Sequence, residues 1–532
     1  MSRPQPKSSL TDEYARRVAR AIAKGKPPPF SDDLDRYCEN SPGEIFAAFA
    51  GAARHMPPAG KDETLALGYL FLLQRMLEFL RYRTDSGYAE AAKLIADFQA
   101  EVVARVEAGE VDGNMLAFVG GALHQAKIPA SPELAAATAK QPFDENEDAA
   151  LPGDIRIALG GVLDGCGGDP FLAIGTLLET GHALPAETRG ALAAALADAG
   201  TSELRSLAVL FLLDADSAAR RAVAQALARV AASLSPIDVR RLIAVRNWRP
   251  ENERGELDTV IRAARAAGID CAQWEAGNVE TILASAIDGV AAQGFLIISP
   301  AGRKKRISSI LTKNAIADAW SGAPESRRQI EASLAGAGMD APMISVSRSY
   351  LDRMVAHHLA LTTENGGAPP FGLLQAAETI GGADWRPARI AFADLLAELM
   401  AEIPKPMYEP AAVTSLLRDS DKLAGLAGVA YCWFEDDPHA ARVAKQARGR
   451  NRGQVAAYLL QSVIAQRRER WAEIFLHTAA WMREAPEDAG LCWRELAIVA
   501  KSLAEGRDVS EIGLMREIAL QTIEALRNVD RM

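Results

Sequence analysis

Several things are scarce in this chain of 532 residues, and each scarcity removes a class of function. Aromatic residues make up only 6%, and the eight tryptophans lie amid helical periodicity rather than in an exposed row, so a base-stacking surface is not indicated. Five cysteines, Cys38, Cys166, Cys271, Cys432 and Cys492, are far apart and form no CxxC pair, and an odd, scattered set of this kind suggests reduced intracellular thiols. The N-terminus MSRPQPKSSLTDEYARR lacks the apolar core of a signal peptide, and a cytoplasmic location is expected. The most apolar run, Leu204 to Leu213, is interrupted by Arg205 and is too short to cross a bilayer, so no membrane insertion is expected.

Catalytic signatures are missing too. The seven histidines form no HExxH and no HxxxH pair. His357 and His358 are adjacent and diverge by about 100° on a helix, a poor geometry for holding one ion. Glu473 and His477, four residues apart, share a helix face, and the plain reading is a surface contact. The glycines of ALGGVLDGCGGDP carry neither the Lys-Ser/Thr ending of a phosphate loop nor GxGxxG spacing. There is no GxSxG elbow. No catalytic residue, metal ligand or cofactor is assigned on this basis.

What is abundant is alanine and leucine, which lose little on entering a helix. With 49% hydrophobic and 24% charged residues the composition is that of a folded protein, and its length calls for several domains or one extended stack. The expected fold class is all-α, an α-solenoid-like stack of helical hairpins with flanking helical regions. Four segments are distinguished. An N-terminal helical domain spans 1–150 and closes in the acidic stretch QPFDENEDAALPGD. Helical repeats span 151–270, a mixed segment 271–345, and a C-terminal helical repeat-like domain 346–532.

The clearest pattern lies between Pro185 and Pro250, with helices expected at about 186–199, 203–214, 217–233 and 236–247. Turns of a few residues force such helices into antiparallel contact. DADSAARRAVAQALARVAAS resembles the second helix of a HEAT-type repeat. That resemblance implies that Asp216 takes the aspartate role and Arg220 or Arg221 the arginine role in linking neighbouring repeats. From Asn278 to Ala319 the pattern changes: Phe295–Ile298 is strand-like and Ser299–Gly302 reads as a turn. A small β-hairpin near 290–300 fits there, with Arg303–Arg306 leading into a helix. Residues 451–481 read as one long helix or two in line.

Two groups of polar residues qualify as candidate sites. Arg303, Lys304, Lys305, Arg306 and Lys313, with Arg448, Arg450, Arg452, Arg467, Arg468 and Arg470, form basic runs that would track a phosphate backbone if they shared one face. The plainer reading is solvated helix faces, in keeping with a formal charge of −10. Cys432, Asp436, Asp437 and His439, in AYCWFEDDPHA, form the richest polar cluster, yet Asp437-Pro438 looks like a helix cap. The leading expectation is a protein-interaction or scaffold protein that takes another protein as its partner. The alternatives are a nucleic-acid-binding helical-repeat protein and an enzyme with an interdomain site.

Overall fold

A computed structural model describes residues 10–23, 32–56, 63–85, 88–111, 113–140, 161–163, 165–166, 168–181, 186–199, 201–274, 278–337, 342–381, 384–426, 432–435, 437–446, 451–486 and 489–531. The chain divides into two compact units, Met1–Ala199 and Gly200–Met532. The acidic stretch expected to close an N-terminal domain lies outside the described residues.

The first unit is helical. Its described helices are α1 (Leu10–Ile22), α2 (Asp32–Asn40), α3 (Ile45–His55), α4 (Glu63–Asp85), α5 (Ala89–Glu107), α6 (Gly113–Gln125), α7 (Pro132–Lys140), α8 (Pro170–Gly181) and α9 (Ala186–Asp198). Helix α4 is the centre, with α1, α3, α5 and α6 packed around it. Its leucines at 70, 73, 77 and 80 and Met76 are buried with Phe49 and Phe98, which meet edge to face at 5.7 Å.

The second unit opens with α10 (Ser202–Leu210), α11 (Ser217–Arg229), α12 (Pro236–Asn247) and α13 (Glu251–Ala266). Side chains start three of these helices by accepting orphan backbone N–H groups. Thr201 accepts from Leu204 N (3.3 Å), Asp216 from Ala218 N (2.7 Å) and Ser235 from Asp238 N (3.3 Å). Asp238 returns the favour to Ser235 N at 3.0 Å, completing a capping box. Helices α11 and α12 both pack on α13. Buried Arg220 donates to Glu253 on α13 (Nε–Oε2 3.0 Å) and to the Asp214 and Ala215 carbonyls (2.9 and 2.8 Å). Asp216 is the helix cap, so the arginine that ties neighbouring helices together does so through Glu253.

The all-α expectation is corrected by the segment that follows. Five strands, β1 (Thr281–Ser285), β2 (Ala292–Ala301), β3 (Lys304–Lys313), β4 (Ile316–Ser321) and β5 (Met343–Ser345), form one antiparallel sheet in the order β4-β3-β2-β1-β5. The expected hairpin near 290–300 is its long central pair. Arg303 completes a two-residue turn and Lys304–Arg306 begin strand β3 rather than a helix, with Ser299 paired to Arg306 and Ile298 to Ile307. Gly302 occupies that turn at φ +63°, where a side chain would be strained.

One sheet face carries Ile298 and Ile307 under Ile330 of α14 (Arg327–Ala337). The opposite face carries Phe295, Ile297 and Ile310, covered by α15 (Arg348–Glu364) and α16 (Phe371–Ile380). Edge strand β4 has three backbone N–H groups met by side chains: Ile316 by Thr362 (3.0 Å), Ser321 by Gln375 (3.2 Å) and Ala319 by Asp318 (2.8 Å).

Helix α16 approaches β4 so closely that a Cβ at Gly372 would collide with the Ala319 carbonyl. A backbone atom cannot be rotated out of the way. Gly372→Ala is therefore expected to cost about 1–3 kcal/mol or more, read as a lower urea midpoint.

The remaining described helices are α17 (Phe392–Ala401), α18 (Pro410–Arg418), α19 (Lys422–Leu426), α20 (Pro438–Gln446), α21 (Arg452–Ser462), α22 (Arg468–Arg483), α23 (Trp493–Ala504) and α24 (Gly513–Arg531). The stretch 451–481 is thus two helices separated by a 3₁₀ turn at Ile464–Arg467. No described helix is long and apolar enough to cross a membrane.

Candidate histidine-lined site

Helix α22 is buried along most of its length, and two indoles pin its neighbourhood to the sheet. Trp481 Nε1 donates to the Ala284 carbonyl of β1 at 3.0 Å, and Trp433 Nε1 donates to the Ile287 carbonyl at 2.8 Å. Helix α15 starts at Ser347, which accepts from Tyr350 N at 3.1 Å, and Tyr350 in turn meets Gln293 of β2. These anchors set α15 and α22 beside one end of the sheet. Between them lies a cavity of about 340 Å³. Its walls include His357 and His358 from α15, Glu473 and His477 from α22, Gln293 from β2 and Arg389.

The three imidazoles are close together. His357 lies 5.1 Å from His358 and 5.1 Å from His477 between ring centroids. Exposure is 3% for His357, 6% for His358 and 8% for His477. Burial lowers the pKa of His357 to about 4, with Arg389 and Arg353 adding repulsion. Burial brings His358 to about 3, helped by His357 and Arg389. Burial and then the two other histidines bring His477 to about 3. All three are neutral at physiological pH, the form in which an imidazole nitrogen can bind a metal or act as a base.

Hydrogen bonding distinguishes them. His357 Nδ1 accepts from Ile390 N at 3.1 Å, whereas Nδ1 of His358 and of His477 are buried without a partner. His357, Glu473 and His477 each present a ligand atom within 4.8 Å of the other two. Glu473 is exposed, so the carboxylate sits where the cluster meets solvent.

Beside this cavity is a buried carboxylate. Glu435 accepts from Arg467 (2.6 Å), Arg470 (3.4 Å) and Trp471 Nε1 (3.1 Å), and Arg467 also reaches Asp437 at 2.9 Å. The two arginines line the cavity and are held in place by Glu435.

The structure distributes the residues singled out from sequence as follows. Arg303 and Lys304 are exposed at the β2–β3 turn, Lys305 pairs with Glu280, and Arg306 has its buried Nε without a partner. Lys313 ends the same strand, about 30 Å from Lys304 by strand rise. Arg452 begins α21 and pairs with Glu524 at 3.5 Å; Arg468 is exposed. Arg448 and Arg450 lie outside the described residues, as does Asp436. Asp437 caps α20 by accepting from His439 N at 2.7 Å, and His439 is exposed. Burial pushes the Cys432 thiol up to about 11, away from thiolate chemistry.

Among the described residues of this set, Arg467, Arg470 and Asp437 are brought together around Glu435. Glu435 is not among the residues singled out from sequence, where His357 and His358 read as a poor geometry for one ion and Glu473 with His477 as a surface contact. The signal that His477 points inward is the apolar set three and four residues away on its own helix face, Ile474, Ala480 and Trp481.

A second cavity, of about 660 Å³, lies in the first unit against α5 and is lined by Ile95, Val103 and Ile128. Its polar lining is self-satisfied: Gln99 accepts from Ser131 N at 2.5 Å and donates to the Pro129 carbonyl at 3.2 Å. It offers apolar volume but no convergent chemistry.

Two segments match families of known proteins. Residues 185–268 are similar to the Y4lR second domain and residues 393–527 to the Y4lR C-terminal helical domain. A curated relative, the "Uncharacterized protein y4lR" of Sinorhizobium fredii (strain NBRC 101917 / NGR234), is 23% identical over 389 residues. The alignment covers 71% of this chain and 74% of the relative. No solved structure matches. The C-terminal match contains Glu435, Arg467, Arg470, Glu473 and His477, while His357 lies before it.

Proposed function

We propose that this protein binds a small ligand in the histidine-lined cavity of its second unit, as the first requirement of a binding or catalytic role there. The observation that carries the reading is the convergence of three buried, neutral imidazoles with a carboxylate and three guanidinium groups on one small cavity. Burying three imidazoles costs stability, and clusters of perturbed titratable groups concentrate at functional sites. The nearby orphan Nδ1 atoms of His358 and His477 add unsatisfied hydrogen-bonding capacity to the same place.

The test fills the cavity. Leu361 lines it and is half-buried, so Leu361→Trp adds an indole without introducing charge. In a ligand-observed NMR screen of small carboxylate and heteroaromatic fragments, the natural protein is expected to bind members of the set. Leu361→Trp is expected to weaken them at least about tenfold while keeping its circular dichroism spectrum. Fragments that bind both proteins equally, or neither, would count against the cavity as a ligand site.

A protein-binding role is a second reading. Trp320, 47% exposed, and Leu311 lie diagonally on the open part of the sheet, since Trp320 pairs with Ser309 and Leu311 with Asp318.

A further inference from the structure

We infer that His357, Glu473 and His477 form a binding site for a divalent transition-metal ion. The inference rests on the small-ligand reading of the cavity and names one such ligand. The three residues come from two helices. Glu473 and His477 are four apart on α22 and therefore lie on one face, and His357 reaches the same point from α15. Their ligand atoms are mutually within 4.8 Å, so a modest inward movement of the exposed Glu473 side chain suffices to close around an ion.

The chemistry of the donor set selects the metal. Two imidazole nitrogens and one carboxylate oxygen suit Zn²⁺, Co²⁺ or Fe²⁺, whereas Ca²⁺ and Mg²⁺ want an all-oxygen shell. Three protein ligands leave at least one coordination position facing the cavity, the arrangement of a site open to a further ligand.

The site has one built-in cost. A neutral imidazole has a single ring lone pair, and His357 spends it on Ile390 N–H at 3.1 Å. Binding an ion through either ring nitrogen gives up the hydrogen bond from Ile390 N, because the imidazole has no second lone pair to offer. His477, whose Nδ1 has no partner, bears no such cost.

The probe is Co²⁺ alone, added to the full chain after chelator treatment and followed by visible absorption and isothermal titration calorimetry, with Zn²⁺ as competitor. One Co²⁺ per chain is expected, displaced by Zn²⁺. Glu473→Gln, at an exposed position that leaves folding unaffected, and His477→Gln are each expected to weaken binding at least about tenfold. His439→Gln, at the exposed start of α20, is expected to leave it unchanged. Absence of saturable Co²⁺ binding, or equal binding by Glu473→Gln, overturns the inference. If fragments still bind the cavity and are excluded by Leu361→Trp, the small-ligand reading survives that failure. If they do not, both fall.

Discussion

Acidification from pH 6.5 towards 4 is expected to destabilise the second unit steeply. The folded-state values of His357, His358 and His477 are lowered from 6.5 to about 4, about 3 and about 3. In the unfolded chain these groups take up protons near 6.5, whereas in the folded chain they remain neutral until far lower pH. Below 6.5 the unfolded state therefore binds more protons, and stability is lost as pH falls through that window. It is fully present above 6.5. Each histidine contributes a slope of up to about 1.4 kcal/mol per pH unit. Arg353 and Arg389 face the cluster and oppose protonation further.

Urea unfolding followed by circular dichroism between pH 7 and pH 4 reads the effect. The difference between the natural protein and His477→Gln isolates one histidine from carboxylates that titrate lower in the range. A variant whose midpoint falls with pH as steeply as that of the natural protein would show that His477 is not held neutral by burial. If a cation occupies the site, it deepens the pH dependence, because protons and the metal compete for the same nitrogens.

The second large effect concerns Glu435, whose side chain is 0% exposed. Removing its charge leaves two partly buried guanidinium groups facing each other without the carboxylate between them. Breaking a buried pair in this way costs about 3–5 kcal/mol, far more than forming it gains. Glu435→Gln is therefore expected to lower the unfolding free energy by that amount. Asp437→Asn, which loses a half-exposed contact to Arg467, is expected to cost about 1 kcal/mol or less. Equal losses in the two variants would mean that the Glu435 carboxylate is compensated elsewhere. Because Arg467 and Arg470 line the histidine cavity, Glu435→Gln is also expected to weaken any ligand held there.

The helices of 186–266 were readable because each carries its own punctuation. Asp216 and Ser235 cap, Pro236 and Pro250 mark starts, and the apolar faces recur at helical spacing. The sheet was only partly readable. Phe295–Ile298 announced itself, but β3 buries Ser308 and Thr312 on its inner face, which blurs the alternation that marks a strand. Those hydroxyls are satisfied only by distant partners, Ser321 Oγ at 2.7 Å and the Gln293 carbonyl at 3.1 Å. β4 is short and alanine-containing, and β5 spans three residues. The histidine site was illegible for another reason. His357 and His477 are separated by a long stretch of chain, and only the docking of α15 and α22 against the same sheet makes them neighbours. Glu435 reads as one acid in an acidic turn until its arginines are seen.

The side chains that occupy the amides of β4 have a consequence for how the molecule behaves in company. An uncovered sheet border recruits strands from other molecules and seeds their stacking into aggregates. Here Thr362, Gln375 and Asp318 already fill the positions an incoming chain would use, and Gly372 lets α16 lie against the border. The protein can thus be concentrated without its sheet growing from that side.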